Sequence, residues 1–159
     1  MRILVVSDTH RKNDLYLQLV KKYEPLDMII HCGDIEGSEY TISEAADCPV
    51  YMVAGNNDFF SKAPAEVEFE IGCHKVFLTH GHNYYISMGN ELIKDEARSR
   101  GADMVIYGHT HRPVIDKAGD VIAINPGSLT YPRQEGRNPS YIIIEDIDGE
   151  LDIQIHYLP

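Results

Sequence analysis

Cysteine is scarce and unpatterned in this chain: Cys32, Cys48 and Cys73 are an odd number with no C-x-x-C spacing. That excludes a secreted disulfide framework and points to a reducing, cytoplasmic setting. Long apolar runs are missing too. The run Ile3-Leu4-Val5-Val6 after Met1-Arg2 is too short for the apolar region of a signal peptide. No stretch approaches the ~20 apolar residues of a membrane span. Positive charge is the third shortage, since 14 Lys and Arg face 25 Asp and Glu for a net charge of −11. Such a surface repels phosphate backbones and anionic lipid, so neither polymeric nucleic acid nor a membrane is an expected partner. Repeats, low-complexity tracts and linkers are absent. With 159 residues, 43% of them hydrophobic and 25% charged, the expectation is one globular domain over 1–159.

Short apolar runs alternate with helical patterns over the first two thirds. Arg2–Val6, Asp27–Ile30, Val50–Val53, Lys75–Leu78 and Asp103–Tyr107 read as buried strands. Tyr16, Leu19, Val20 and Tyr23 mark one face of a helix between the first two. A shorter helix is expected from Ser38 through Ile42, Ala45 and Ala46, and a third from about Ser87 past Leu92, Ile93 and Ala97 to Gly101. After Tyr107 the pattern is strands alone, with Pro113–Asp116 and Val121–Ile124 flanking one turn and Tyr141–Glu145 and Leu151–Ile155 flanking Asp148-Gly149. Two packed sheets with helices outside follow, a four-layer α/β sandwich.

The chemistry sits at the strand ends. The five early strands run into Ser7-Asp8-Thr9-His10, His31-Cys32-Gly33-Asp34, Ala54-Gly55-Asn56-Asn57-Asp58, Thr79-His80-Gly81-His82 and Gly108-His109-Thr110-His111. Ligands collect outside the carboxyl ends of such strands, so parallel strands would bring all five clusters to one edge. Five of the eight histidines fall in three of these loops. Asp, His and Asn are nitrogen and oxygen donors for divalent cations, and there are too many for one tetrahedral zinc. Two metal ions sharing a carboxylate are expected, a pair ~3.5–4 Å apart that polarises an ester oxygen and supplies hydroxide for attack at phosphorus or a carbonyl.

In the order Asp-x-His, Gly-Asp, Gly-Asn-x-Asp, His-Gly-x and Gly-His-x-His, these motifs resemble the calcineurin-like metallophosphoesterases. Chain length and the turn Asn125-Pro126-Gly127-Ser128 resemble that family's small YfcE-like phosphodiesterase branch. The resemblance implies a four-layer sandwich of two mixed sheets and hydrolysis of small phosphodiesters by metal-bound hydroxide. It also implies Asp8, His10 and His111 on a first metal, Asn56, His80 and His109 on a second, and Asp34 as the bridge. Manganese is the foremost candidate, with nickel, zinc, iron or cobalt accepted by the same donors. The family often has His where this chain has Asn57, which leaves the proton donor for the leaving group unassigned.

Each cluster has a plainer alternative. Gly33-Asp34 and Asn56-Asn57 suit ordinary turns. Asn57 can hydrogen-bond a phosphoryl oxygen but has no proton to give, and His82 either faces substrate, assists protonation or packs. Arg11, Arg112 and Arg133 adjoin the motifs as phosphate holders or as solvated residues. Cys32 reads as a small packed residue, and His31, His74 and His156 as structural or exposed. Competing functions are a phosphomonoesterase and a catalytically weak scaffold of the same fold for protein assembly. Homo-oligomerisation is left open.

Overall fold

A computed structural model describes residues 1–159. Ten strands and three helices run in the order β1 (Arg2–Val6), α1 (Asp14–Tyr23), β2 (Met28–His31), α2 (Glu39–Glu44), β3 (Val50–Met52), β4 (Glu66–Ile71), β5 (His74–Thr79), α3 (Glu91–Ser99), β6 (Met104–Ile106), β7 (Pro113–Asp116), β8 (Ile122–Pro126), β9 (Ser140–Ile147) and β10 (Glu150–Tyr157). They form two five-stranded sheets, ordered β10-β9-β1-β2-β3 and β4-β5-β6-β8-β7. The expected mixed-sheet sandwich is present. β1, β2 and β3 are mutually parallel, as are β5, β6 and β8, and the remaining neighbours pair antiparallel.

Alternation along the strands explains why their sequences look uniformly apolar. Ile3 and Val5 point between the sheets to meet Val76, Leu78, Met104 and Ile106. Leu4 and Val6 point outward beneath Tyr16, Leu19 and Val20 of α1 and Ile42 of α2. On the far side Phe77, Val105 and Ala123 lie under Ile93 and Ala97 of α3. Because both faces of each central strand are covered, neither can be polar. No helix is long and apolar enough to cross a membrane.

Three elements differ from expectation. Strand β4, Glu-Val-Glu-Phe-Glu-Ile, had no place in the sequence reading because its alternating glutamates hide it among buried runs; as an edge strand it buries Phe69 and Ile71 and leaves Glu68 and Glu70 outside. The third helix begins at Glu91, preceded by two 3-10 turns over His82–Tyr84 and Ile86–Met88. Gly89, at φ +128°, breaks the run between them. The second helix stops at Glu44 rather than continuing through Ala45 and Ala46.

Candidate metal centre

The parallel strands of both sheets deliver their loops to one edge. Asp8 N–H donates to the Gly33 carbonyl (3.0 Å), Gly108 N–H to the His80 carbonyl (3.0 Å), and His109 N–H crosses between sheets to Asp8 Oδ2 (3.1 Å). The approach leaves no room for side chains at Gly33, Gly55 and Gly108. A Cβ on Gly108 would stand 2.8 Å from Asp8 Oδ2, and one on Gly33 2.7 Å from His80 Nδ1. The backbone is strained where the donors sit: Asp8, His10, Asp34, His109 and His111 all have φ between +46° and +69°. Left-handed backbone at non-glycine residues costs free energy and clusters where a site demands a particular side-chain direction.

Asp8 Oδ1, His10, Asp34 and His111 bring donor atoms within 4.8 Å of one another. His111 Nε2 is 3.0 Å and His10 Nε2 3.8 Å from Asp8 Oδ1, and the two Nε2 atoms are 3.4 Å apart. A second group adjoins it. His80 Nε2 lies 3.0 Å from Asn56 Oδ1 and 3.6 Å from Asp34 Oδ2, and His109 Nδ1 lies 2.9 Å from Asn56 Oδ1. Asp34 Oδ2 faces both groups, being 3.8 Å from His10 Nε2. All seven residues expected to hold metal thus meet at one place.

The proton positions decide what these contacts mean. His80 Nδ1–H donates to the Cys32 carbonyl (2.7 Å) and His111 Nδ1–H to the Tyr131 carbonyl (2.7 Å), while His10 Nδ1 faces Glu36 Oε1 at 3.3 Å. A carbonyl can only accept, so Nδ1 carries a proton in both His80 and His111, and Nε2 is the nitrogen either ring can offer to a cation. Those Nε2 atoms point at Asp8, Asp34 and Asn56 oxygens, which are acceptors. Asp8 Oδ1 is fully buried without a hydrogen-bond partner, despite His111 only 3.0 Å away. Lone pairs facing one another in a buried site repel unless a proton or a metal cation lies between them. The donor set fits divalent cations.

Burial pushes the Asp8 carboxyl up, but His111 and His80 more than offset it and hold it below the ordinary value. Burial, then the neighbouring His80, pushes both His82 and His109 down, so both are neutral near pH 7. His82 Nδ1 is buried without a partner, its ring 5.5 Å from His80 and 6.1 Å from His109.

Asn57 donates its side-chain amide to Asp34 Oδ2 (2.8 Å) and its backbone N–H to Asp34 Oδ1 (2.9 Å). Asn57, expected to hydrogen-bond a phosphoryl oxygen, therefore directs its amide at a carboxylate. Sequence reading assigned no role to four further groups. Asp58 takes N–H bonds from Ile35, Glu36 and Gly55, clamping two loops together; its place in Gly-Asn-x-Asp was the available signal. Ser128 donates to the Asp8 carbonyl (2.8 Å), Asn125 to the Gly108 carbonyl (2.9 Å), and Glu36 faces His10. His31 is fully buried beside Thr9 and pushed by burial down to about 4, so it is a neutral structural ring. His74 pairs with Asp103 and His156 stacks on Tyr141. Cys32 is packed in the inter-sheet core.

The description of the calcineurin-like phosphoesterase superfamily domain matches residues 1–149. The chain is 34% identical to a probable metallophosphoesterase of Mycoplasma genitalium, MG207, over 99% of this chain and 95% of that one. It is 31% identical to the phosphodiesterase MJ0936 of Methanocaldococcus jannaschii, over 80% and 83%. Among solved structures, a predicted phosphoesterase of Streptococcus pneumoniae superposes with a TM-score of 0.84 at 28% identity, over 98% of this chain and 88% of that one. A Vps29 of Entamoeba histolytica superposes with a TM-score of 0.78 at 23% identity over the whole of both chains, a likeness of fold.

Proposed function

We propose, because this chain belongs to the calcineurin-like phosphoesterase superfamily, that it hydrolyses small phosphodiesters at a centre for two divalent cations. The family is metal-dependent and the chain is a phosphoesterase. In this reading Asp8, His10 and His111 hold the first cation, Asn56, His80 and His109 the second, and Asp34 bridges them. Bound cations supply Lewis acidity towards phosphoryl oxygen and a water that ionises near neutral pH. Manganese is the first candidate, and nickel, zinc, iron or cobalt suit the same donors.

The chain's own contribution is orientation. Glu36, the Cys32 carbonyl and the Tyr131 carbonyl each fix one imidazole through its Nδ1, so that Nε2 faces inward. Asn57 fixes the plane of the Asp34 carboxylate. Open cavities of about 530 and 680 Å³ flank the histidines, spaces suited to a small ester. Cys32, Cys48 and Cys73 are all free thiols, in keeping with a cytoplasmic enzyme.

The observation that carries the reading is the buried, unpartnered Asp8 Oδ1 facing Nε2 of His111 and His10. The test is metal analysis of chelated and reloaded protein, with aryl phosphomonoesters and diesters assayed against each of the five metals. Bound metal near two ions per chain is expected, with diesters turned over faster than monoesters and a melting temperature that rises with metal concentration. Faster monoester turnover would make the protein a phosphomonoesterase. Bound ions without turnover of any ester would leave a scaffold of the same fold.

A further inference from the structure

Positive charge in this acidic chain is distributed unevenly. Arg2, Arg98 and Arg100 are paired with carboxylates, and Lys75 and Lys94 likewise. Arg112, Arg133 and Arg137 form no ion pair, and all three are exposed on one wall beside the metal centre. The cavity of about 680 Å³ that holds His10 and His111 is lined by these three arginines with Tyr131. The cavity of about 530 Å³ on the His109 side shares Arg112 and Arg133. Neither cavity has an Asp or Glu in its lining, although acidic residues outnumber basic ones 25 to 14 over the chain.

The arginines are presented by a braced loop rather than a loose one. Arg133 N–H donates to the His111 carbonyl (3.0 Å), which ties the loop to the metal centre. Gln134 bonds the Asn138 carbonyl (2.6 Å) and Asn138 bonds the Leu158 carbonyl (2.8 Å), anchoring the far end. Glu135 is the single carboxylate between Tyr131 and Ser140, and it lines neither cavity. Lys12 adds a further cation, its Nζ 4.7 Å from the centre of the Tyr131 ring. Unpaired arginines lining an open cavity are a ready receptor for a phosphoryl group.

We propose that Arg112, Arg133 and Arg137 form a subsite for a second phosphoryl group, so that the preferred substrate is a small phosphodiester carrying an additional terminal phosphate. This rests on the phosphodiesterase reading and narrows it. The metal centre takes the scissile diester, while the arginine wall takes the dianion on the retained arm of the substrate. A single diester phosphate is a monoanion that the cations already neutralise, which leaves three further guanidinium groups without a counter-charge.

The test uses two probes that differ by one phosphate: thymidine 5′-(4-nitrophenyl phosphate), and the same compound with a 3′-phosphate. With manganese-loaded protein, kcat/KM should favour the 3′-phosphorylated probe by roughly 10- to 100-fold, mostly through KM. Arg133→Gln with Arg137→Gln should bring that ratio towards one. A ratio near one in the unmodified protein overturns the subsite. In parallel, titration calorimetry on metal-stripped protein compares thymidine 3′,5′-bisphosphate with thymidine 5′-phosphate. At least tenfold tighter binding of the bisphosphate, lost in the double variant, is expected, and equal binding overturns the proposal. Failure to hydrolyse either probe with any metal defeats the phosphodiesterase reading instead, and the calorimetry still decides the subsite.

Discussion

Asn57 grips Asp34 twice, through its side-chain amide at 2.8 Å and its backbone N–H at 2.9 Å, and so sets the plane of the carboxylate that faces both groups of histidines. Asp34 Oδ2 is the shared corner of the site, 3.6 Å from His80 and 3.8 Å from His10.

Asp34→Asn should therefore abolish turnover with the fold intact. Two like-charged ions need an anionic bridge, and a neutral amide supplies far less Coulomb stabilisation. Activity within about tenfold of the unmodified protein, only ~1.4 kcal/mol of barrier, would contradict the bridging role.

Removing the grip without removing the charge should have a smaller effect. Asn57→Ala leaves Asp34 free to rotate, and loss of such an outer partner typically costs about 10–100-fold in metal affinity or activity. Raising the metal concentration should recover most of the lost rate. A deficit unchanged by saturating metal would place Asn57 on the substrate instead.

His82 is neutral near pH 7, because burial and His80 both push it down, so it is a poor general acid for a departing alkoxide. With Asn57 also unable to donate, aryl diesters should be hydrolysed faster than alkyl diesters by roughly the 10²–10⁴-fold that a general acid would supply. His82→Ala should leave the dependence of rate on leaving-group pKa unchanged. A flat dependence in the unmodified protein would reveal a proton donor elsewhere.

A separate stability prediction concerns Asp116. Its carboxylate accepts from Asn90 (2.8 Å), from the buried Lys94 (2.9 Å) and from Ala118 N–H (2.9 Å), and these hold its pKa down to about 2. A depressed carboxylate stabilises the fold fully above its ordinary value of 3.8, and that stability is lost as pH falls through about 2. Asp116→Asn should cost about 1–3 kcal/mol near neutral pH, since the buried Lys94 loses its counter-charge and is left with neutral acceptors such as the Ala118 carbonyl (3.0 Å). The deficit should shrink between pH 4 and pH 2. Denaturant unfolding of both proteins across that range checks it, and a deficit independent of pH would mean the amide fails for steric reasons.

The sequence by itself determined which polar residues stand at the strand ends and their order, because strand ends carry chemistry that periodicity does not scramble: Asp8, His10, Asp34, Asn56, His80, His109 and His111 follow short apolar runs. It also determined the layering, since Ile3 to Val6 can be apolar at every position only when both faces are covered. The glutamate-striped β4 escaped because an edge strand need not look like a buried one. What the tertiary structure alone decided is direction. That Asn57 faces Asp34, that Glu36 faces His10, and that the Tyr131 carbonyl fixes the His111 ring follow from loops meeting across two sheets, with left-handed backbone at five of the seven donors. The arginine wall is of the same kind: Arg112 and Arg133 are 21 positions apart in the chain, and one hydrogen bond from Arg133 N–H to the His111 carbonyl puts them on the same cavity. Residue type is local information, whereas the orientation of a lone pair or a guanidinium is fixed by contacts made far along the chain.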